Sequence, residues 1–167
     1  TPIVSIIMGS TSDLPVMEKA AKFLDDMDVP FEMTALSAHR TPAEVESFAR
    51  NAKARGIRVI IAGAGMAAAL PGVIAASTTV PVIGVPIKGM LDGLDAMLSI
   101  IQMPPGIPVA TVGVNGAQNA AILAVEMLAL ADEALAKRLE QYKDSLKEKI
   151  VKANAELATV CYKNKTN

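Results

Sequence analysis

Five short apolar runs alternate with helical patterns along this chain, and this alternation restricts the possible folds more than any other feature. Three of the runs are nearly all apolar, which is typical of strands that helices cover on both faces. Strands that alternate with helices at this spacing predict a parallel sheet with right-handed crossovers. We therefore predict an α/β fold, a three-layer sandwich around a five-stranded, doubly wound parallel sheet. The predicted strands are Ile3–Met8, Phe31–Leu36, Val59–Ala62, Pro81–Val85 and Val109–Val112.

The segments between these runs have helical periodicity. In the first of them, apolar residues recur at spacings of three and four from Val16 to Met27, which marks one apolar helix face. A second helix is predicted to start at Thr41, with Thr41 as the cap, Pro42 in the first turn and Glu44 as a capping-box acid. The predicted helices are Leu14–Asp28, Pro42–Arg55, Ala67–Ser77, Leu91–Ile101 and Gln118–Leu130.

After Leu130 the pattern changes to one long helix with a single apolar stripe. The stripe consists of Leu135, Leu139, Tyr142, Leu146 and Ile150. Two interpretations stay open: the stripe packs across a neighbouring subunit, or the helix lies back on its own sheet. We predict one domain over residues 1–158, which includes this helix, and a polar, frayed tail over residues 159–167.

The composition excludes several classes of function. Hydrophobic residues make up 51% of the chain but aromatic residues only 3%, which argues against a stacking platform for single-stranded nucleic acid. A net charge of −1 gives no general attraction to nucleic acid or to an anionic membrane. The single Cys161 has no disulfide partner, and no cluster has metal-ligand spacing. With a first strand predicted from Ile3 and no apolar run long enough for a membrane span, we expect a soluble, cytoplasmic protein without metal.

The only histidine, His39, follows the second predicted strand, beside Ser37 and Arg40. Open α/β sheets bind ligands at the carboxyl ends of their strands. Imidazole is the side chain that ordinarily takes and gives a proton near neutral pH, so His39 is the candidate acid and base. Arg40 could bind phosphate or carboxylate with its planar fork. The plainer alternatives are a turn histidine bonded to backbone and an arginine in a surface salt bridge.

A second candidate segment, Gly9 to Asp13, lies between the first strand and the first helix. Gly9 allows a tight turn, while Ser10 and Ser12 offer hydroxyls beside the free amides of a helix start. These features predict a cradle for phosphate or ribose. The segment fits neither a Walker loop nor the dinucleotide fingerprint. An ordinary turn capped by Ser12 or Asp13 is the alternative.

Two further segments follow later strands. Ala62 to Gly72 is built mainly of Gly and Ala, so a ligand could lie against bare backbone, although close helix–sheet packing would select the same residues. Farther along, Asp92 and Asp95 could form a carboxylate pair, but acids at a helix start are the more ordinary interpretation. A Pro-rich run at residues 102–108 predicts a rigid loop. No Ser–His–acid arrangement is indicated.

Taken together, the chain resembles the N5-carboxyaminoimidazole ribonucleotide mutases of purine biosynthesis, which belong to the AIR carboxylase family. The resemblance runs in order from about residue 3 to residue 132. The matching segments are Gly9-Ser10 with Ser12-Asp13, Ser37-Ala38-His39-Arg40-Thr41-Pro42, Ala62-Gly63-Ala64-Gly65, Leu70-Pro71-Gly72, Pro81-Val82-Ile83-Gly84-Val85-Pro86 and Ser99-Ile100-Ile101-Gln102-Met103-Pro104.

The resemblance implies a flavodoxin-like fold, a ribonucleotide substrate, no cofactor, and a homo-octamer with sites at subunit junctions. It implies His39 as the general acid and base, Ser10, Asp13 and Arg40 as substrate-binding residues, and Ser12 as a phosphate ligand. The full set of expected substrate-binding residues is Ser10, Ser12, Asp13, Ser37, Arg40, Gly65, Met66, Ala67 and Leu70.

The chain departs from the family pattern at two positions. Met66 stands where the family usually has glycine, and Ala69 stands where it has a second histidine. We expect the loss to be tolerated, because one proton shuttle is sufficient for the reaction. The alternatives are a carboxylase that uses free CO2, a flavodoxin-like nucleotide-binding module without catalysis, and, more weakly, carboxylation of another nucleotide as in nickel-pincer cofactor synthesis proteins.

Overall fold

A computed structural model describes all 167 residues of the chain. Five parallel strands form one sheet in the order β2-β1-β3-β4-β5. The strands are β1 (Val4–Met8), β2 (Phe31–Ala35), β3 (Val59–Gly65), β4 (Val82–Ile87) and β5 (Ala110–Thr111). The helices are α1 (Leu14–Asp26), α2 (Pro42–Ala52), α3 (Leu70–Ala76), α4 (Leu94–Ile101), α5 (Ala117–Ala129) and α6 (Glu133–Ala158). This order is the flavodoxin-like, doubly wound topology, and it confirms the predicted fold class.

Helices cover both faces of the sheet, which explains why its central strands are apolar throughout. Ile6 and Ile61 pack with α1, α5 and the start of α6, whereas their neighbours Ile7 and Ile60 pack with α2, α3 and α4. All four isoleucines are fully buried. Each such side chain contributes about 1.5–3 kcal/mol to folding. Rigid central strands therefore support the loops at their ends.

Two predicted helix starts are three residues too early, and both errors have a backbone cause. Helix α3 begins at Leu70 instead of Ala67, since the left-handed Met66, with a φ of 53°, gives its carbonyl to the Ala68 amide two residues on and not to an amide four residues on. Helix α4 begins at Leu94 instead of Leu91, since Asp92 and Gly93 have φ values of 56° and 90°. Asp95 stands in the first turn of α4, as the plainer interpretation predicted.

Strand β3 is longer than predicted because it runs through small residues between two paired neighbours. Its pairing with β4 continues through Ala64 and Gly65 as far as Pro86 and Ile87. At the other edge, β5 consists of only two residues. The extension of β3 carries its small residues to the carboxyl edge of the sheet.

The long helix α6 divides into a covered part and an uncovered part. Leu135 is buried, and Tyr142 packs edge-on against Phe23 of α1 with ring centroids 4.9 Å apart. Farther along, Leu146 is 41% and Ile150 is 64% exposed. The first half therefore lies on the chain's own helices, chiefly α5, and the apolar stripe of the second half faces solvent. No helix of the chain combines the length and apolarity that crossing a bilayer would take.

Candidate active site

A cavity of about 470 Å³ opens where the loops after β1, β2 and β3 meet. Strands β1 and β3 are neighbours in the sheet, but the helices that follow them lie on opposite faces: α1 packs on one face and α3 on the other. The crevice between such strands is the usual ligand site of a doubly wound sheet. The lining consists of Gly9, Ser10, Ser12, Asp13, Ser37, Ala38, His39, Arg40, Ala64, Gly65, Met66, Ala67, Ala68, Ala69 and Leu70. The structure thus brings all ten predicted site residues into one cavity.

The first wall is the loop after β1, where Ser10 and not Ser12 or Asp13 is the capping residue. The Ser10 hydroxyl accepts a hydrogen bond of 3.3 Å from the Ser12 amide at the start of a 3₁₀ turn over Thr11–Asp13. The Ser10 and Ser12 hydroxyls also hydrogen-bond to each other. Two paired hydroxyls beside a helical amino end make a suitable site for the oxygens of an anion.

Asp13 is partly buried at the rim of this wall. Burial raises the pKa of its carboxyl above the ordinary value, and the backbone amides of Ser10 and Gly9 partly offset that rise. A carboxylate with a raised pKa is less favourable in the folded protein when it is charged. The charged Asp13 side chain therefore lowers the stability of the folded protein, as is common for residues at functional sites.

Asp13→Asn is expected to stabilise the protein at neutral pH. Below the ordinary Asp pKa of about 3.9 both variants are uncharged, and their stabilities are expected to be similar. As pH rises through the raised folded-state pKa, the parent loses stability relative to the Asn variant. Thermal unfolding across this pH range measures the difference. Glu18→Gln, at an exposed position of α1, is the control and is expected to show no such trend; a parent that gains stability over Asp13→Asn toward neutral pH contradicts the assignment.

The second wall is the turn that follows β2, and hydrogen bonds between its own residues hold it. The Ser37 hydroxyl accepts from the Arg40 amide at 3.1 Å, and the Thr41 hydroxyl accepts from the Ser37 amide at 2.9 Å. The Thr41 hydroxyl also donates to the Ser37 carbonyl at 3.1 Å. Thr41 therefore closes this turn and makes no side-chain cap to α2, which corrects the predicted capping box.

His39 lies at the exposed tip of this turn. Its imidazole makes no hydrogen bond within the chain, so the alternative of a turn histidine bonded to backbone does not hold. The bonds of Ser37, Arg40 and Thr41 fix the backbone on both sides of it. The imidazole is thus carried on a defined turn with both ring nitrogens available to a ligand.

Arg40 connects the first two walls. Its Nη2 donates to the Gly9 carbonyl at 3.2 Å, and its Nε donates to the Ser37 hydroxyl at 3.3 Å. No Asp or Glu forms a salt bridge with it, so the alternative of a surface ion pair does not hold. The positive charge beside the paired hydroxyls is therefore available to an anion.

The third wall is the small-residue loop after β3. Gly63 lies under Met17, and a Cβ on Gly65 would lie 3.4 Å from the Ile87 carbonyl oxygen. The Ala68 amide donates to the Met66 carbonyl at 2.8 Å, which tightens the loop. Leu70 reaches the cavity wall, but its side chain is only 3% exposed. A binding role for Leu70 would therefore depend on its backbone.

The fourth candidate segment does not reach the cavity. Asp92 pairs with Lys88 at 3.5 Å, and Asp95 lies apart from the lining. Met103 of the Pro-rich run packs against Gly72 instead. Two larger cavities, of about 540 and 800 Å³, lie at the amino ends of the strands and contain neither a histidine nor a carboxylate. Of these three cavities, only the one beside His39 contains a histidine and a carboxylate.

Comparisons with known proteins identify the family. The AIR carboxylase family matches residues 3–149. The chain belongs to the AIR carboxylase family. This family member is 60% identical to the N5-carboxyaminoimidazole ribonucleotide mutase of Pyrococcus abyssi over 147 residues. These aligned residues make up 87% of this chain and 84% of that protein. This chain is 49% identical over 167 residues to the mutase of Thermotoga maritima, over 99% and 98% of the two chains.

Longer relatives and a solved structure agree with this membership. The phosphoribosylaminoimidazole carboxylase of Saccharomyces cerevisiae is 52% identical over 162 residues, which cover 96% of this AIR carboxylase family chain but only 28% of the yeast protein. The crystal structure of Treponema denticola PurE superimposes with a TM-score of 0.84 at 31% identity, over 94% of this chain and 99% of that one. The family and the fold are thus found independently from sequence and from structure.

Two features of this family member's site were not predicted. The Gly9 carbonyl accepts from Arg40 across 31 positions of sequence. The predicted segments contain Ala38, Ala64, Ala68 and Ala69, but the expected substrate-binding residues do not include them, and all four belong to the lining. A backbone acceptor carries no side-chain signal in a sequence. The signal for these neighbours is the convergence of three strand ends at one edge of the sheet, together with the small residues after β3.

Proposed function

We propose that this chain is an N5-carboxyaminoimidazole ribonucleotide mutase in which His39 carries the proton. The reaction moves a carboxylate from the exocyclic nitrogen of an aminoimidazole ribonucleotide to ring carbon 4, in purine biosynthesis. The single observation that carries the proposal is the placement of the only histidine between a hydroxyl-lined anion cradle and a wall of bare backbone. Mutases at 49–60% identity over most of the chain support it.

The ribonucleotide is bound through its phosphate and its ribose. Ser10, Ser12 and Arg40 hold the 5′-phosphate, with two hydroxyls and a guanidinium on one side of the cavity. Asp13 accepts a hydrogen bond from a ribose hydroxyl or a base donor at the rim. Ser37 holds the Arg40 side chain in place through its hydroxyl. This arrangement directs the aminoimidazole ring toward His39 and the small-residue loop.

The carboxylate is transferred by way of CO2, which is released from the nitrogen and then captured by carbon 4. The carbamate C–N bond breaks, its electron pair stays on the exocyclic nitrogen, and protonated His39 supplies that nitrogen with a proton. Ring carbon 4 then attacks CO2 with the electron pair of the electron-rich ring, and a C–C bond forms. Neutral His39 removes the proton from carbon 4, which restores the ring and the starting state of the enzyme. A group that serves both as acid and as base works best with a pKa near the working pH.

The small-residue wall supplies proximity. Gly65 and Ala67 present little beyond backbone, so a molecule as small as CO2 can be held next to carbon 4. The aminoimidazole ring is itself electron-rich enough to stabilise the charge that develops, so the proposed steps require no electron sink. Acid–base catalysis by His39 contributes about a hundred- to ten-thousandfold, and proximity supplies the rest.

Direct carboxylation is the second candidate, because several relatives at 52–53% identity are named phosphoribosylaminoimidazole carboxylases. Purified protein assayed with the carbamate substrate, and separately with aminoimidazole ribonucleotide plus bicarbonate, distinguishes the two. We expect turnover of the carbamate at substrate concentrations where the second pair gives little product. Preferential use of bicarbonate would replace the mutase proposal, and binding without turnover of either substrate would indicate a binding module.

Arg40→Lys is expected to weaken substrate binding more than catalysis. Lysine keeps the positive charge but lacks the planar guanidinium. Only the guanidinium can donate to Gly9 and Ser37 and still direct N–H groups at the phosphate. Loss of one charged hydrogen bond predicts a KM increase of about ten- to a hundredfold with a smaller change in kcat. Arg50→Lys, at a residue that pairs with Glu46 on α2, is the matched control and is expected to leave both constants unchanged. A parental KM in the Arg40 variant would exclude the phosphate role.

We further propose that the chain acts in the cytoplasm as a homo-octamer, with residues 1–158 as one domain. The single exposed Cys161 is compatible with a reducing compartment. The uncovered apolar stripe of α6, at Leu146 and Ile150, supports assembly with further copies. Sedimentation of the purified protein tests the subunit count.

A further inference from the structure

Met66 has a backbone conformation that its side chain does not favour. Its φ is 53°, in the left-handed region. The other non-glycine residues with positive φ are Asp28, Asp92 and Asn115, whose short polar side chains tolerate that region. A methionine there is strained, and strained residues that persist in a folded protein cluster at functional sites.

Burial within the single chain does not account for Met66 either. It is 61% exposed, although its Cγ lies near the loop after β4, 3.7 Å from where a Cβ on Gly89 would be. It is also the only residue from Ala62 to Ala69 with a side chain larger than a methyl group. Neither backbone preference nor core packing therefore explains why this position carries a long apolar side chain.

The position of Met66 in the cavity does suggest a reason. It lines the same cavity as His39 and Arg40, on the wall whose other members are glycine, alanine and a buried leucine. Those small residues leave unfilled space beside the reacting ring. If that space were open to solvent, CO2 would diffuse out of the cavity. A methionine side chain is flexible and apolar, so it can conform to a ring and a neutral gas molecule without binding either by charge.

We propose that Met66 is a substrate-contacting residue whose side chain covers the aminoimidazole ring and the CO2 released from it, and so limits exchange of that CO2 with solvent. The inference rests on the proposed mutase function and adds a specific role in it. Exclusion of solvent from a reactive intermediate is a recognised function of the residues that close a site. Met66 does this with one side chain.

The test compares Met66→Ala with Met66→Leu. Both variants keep a Cβ in the left-handed backbone, so the strain stays and only the length of the covering side chain changes. Each protein converts the unlabelled carbamate substrate in medium that contains bicarbonate with a heavy carbon isotope, and mass spectrometry measures the labelled fraction of the C4-carboxylated product. Spontaneous decarboxylation without enzyme is subtracted.

We expect the labelled fraction to rise by about three- to tenfold in Met66→Ala and to stay near the parental value in Met66→Leu. Met33→Ala, which truncates a part-exposed methionine on β2 away from the cavity, is the control and is expected to match the parent. Equal labelled fractions in the parent, Met66→Ala and Met66→Leu overturn the inference. A change of oligomeric state in Met66→Ala with no change in labelling also overturns it, since the side chain then serves a subunit contact.

The mutase function and the role of Met66 can be overturned separately. A parent protein that makes no C4-carboxylated product from the carbamate overturns the mutase function and this inference together. A parent that makes it at a normal rate, while all variants exchange CO2 alike, overturns the role of Met66 alone.

Discussion

His39→Asn is expected to lower turnover by at least about a hundredfold while the protein folds as before. The chain has no second histidine, so no other imidazole can take over the proton transfers. The imidazole makes no hydrogen bond within the chain, and the turn that carries it is held by Ser37 and Thr41. Asparagine therefore removes the proton carrier without removing a contact that stabilises the fold.

The measurement pairs steady-state turnover of the carbamate substrate with calorimetric binding of the ribonucleotide product. We expect binding within about threefold of the parent, because the phosphate contacts of Ser10, Ser12 and Arg40 are untouched. Partial rescue of His39→Ala by added imidazole would show that the missing group is a proton carrier. Turnover within about tenfold of the parent in His39→Asn would remove His39 from the mechanism.

The sequence predicts the architecture well because apolar patterning and parallel topology decide it. Buried strands such as β3 and β4 read as continuous apolar runs, and strands that alternate with helices can form only a few sheets. Once the sheet is parallel, the segments after β1, β2 and β3 must lie at one edge. The meeting of Gly9, His39 and Gly65 at one cavity follows from that topology.

The errors concern backbone conformations and bonds that no single residue type signals. The start of α3 at Leu70 follows a tight turn in which the Ala68 amide bonds to the carbonyl of the left-handed Met66, and methionine does not predict that conformation. Thr41 had the sequence of a helix cap, yet its hydroxyl bonds to Ser37 because the turn after β2 folds back on itself. The contact from Arg40 to Gly9 joins two loops that only the tertiary structure brings together.

Gly84→Ala is expected to destabilise the protein by about 1–3 kcal/mol, although alanine is ordinarily the better residue in a strand. A Cβ there would lie 2.5 Å from Ile100 Cγ2, 3.2 Å from Val109 Cγ1 and 3.4 Å from Pro71 Cβ. Ile100 is fully buried on α4, so it has no free space to enter. The added methyl must therefore push α4 away from the sheet or deform β4.

Two other glycines provide matched controls for this prediction, measured as the free energy of unfolding in denaturant at one protein concentration. At Gly63 a Cβ meets only Met17, at 2.5 Å from its Sδ, 3.0 Å from its Cε and 3.3 Å from its Cγ. Met17 is as buried as Ile100, but its unbranched side chain can change rotamer more readily, so Gly63→Ala is expected to cost less than Gly84→Ala. At Gly113 nothing lies within 4 Å, and alanine is expected to be neutral or to stabilise by about 0.4–1 kcal/mol. Pro71, the third neighbour of a Cβ at Gly84, lies in the first turn of α3 just after the small-residue loop. Equal stabilities for the Gly84 and Gly113 variants would mean that α4 can move outward freely, and would contradict the close packing of α4 against β4.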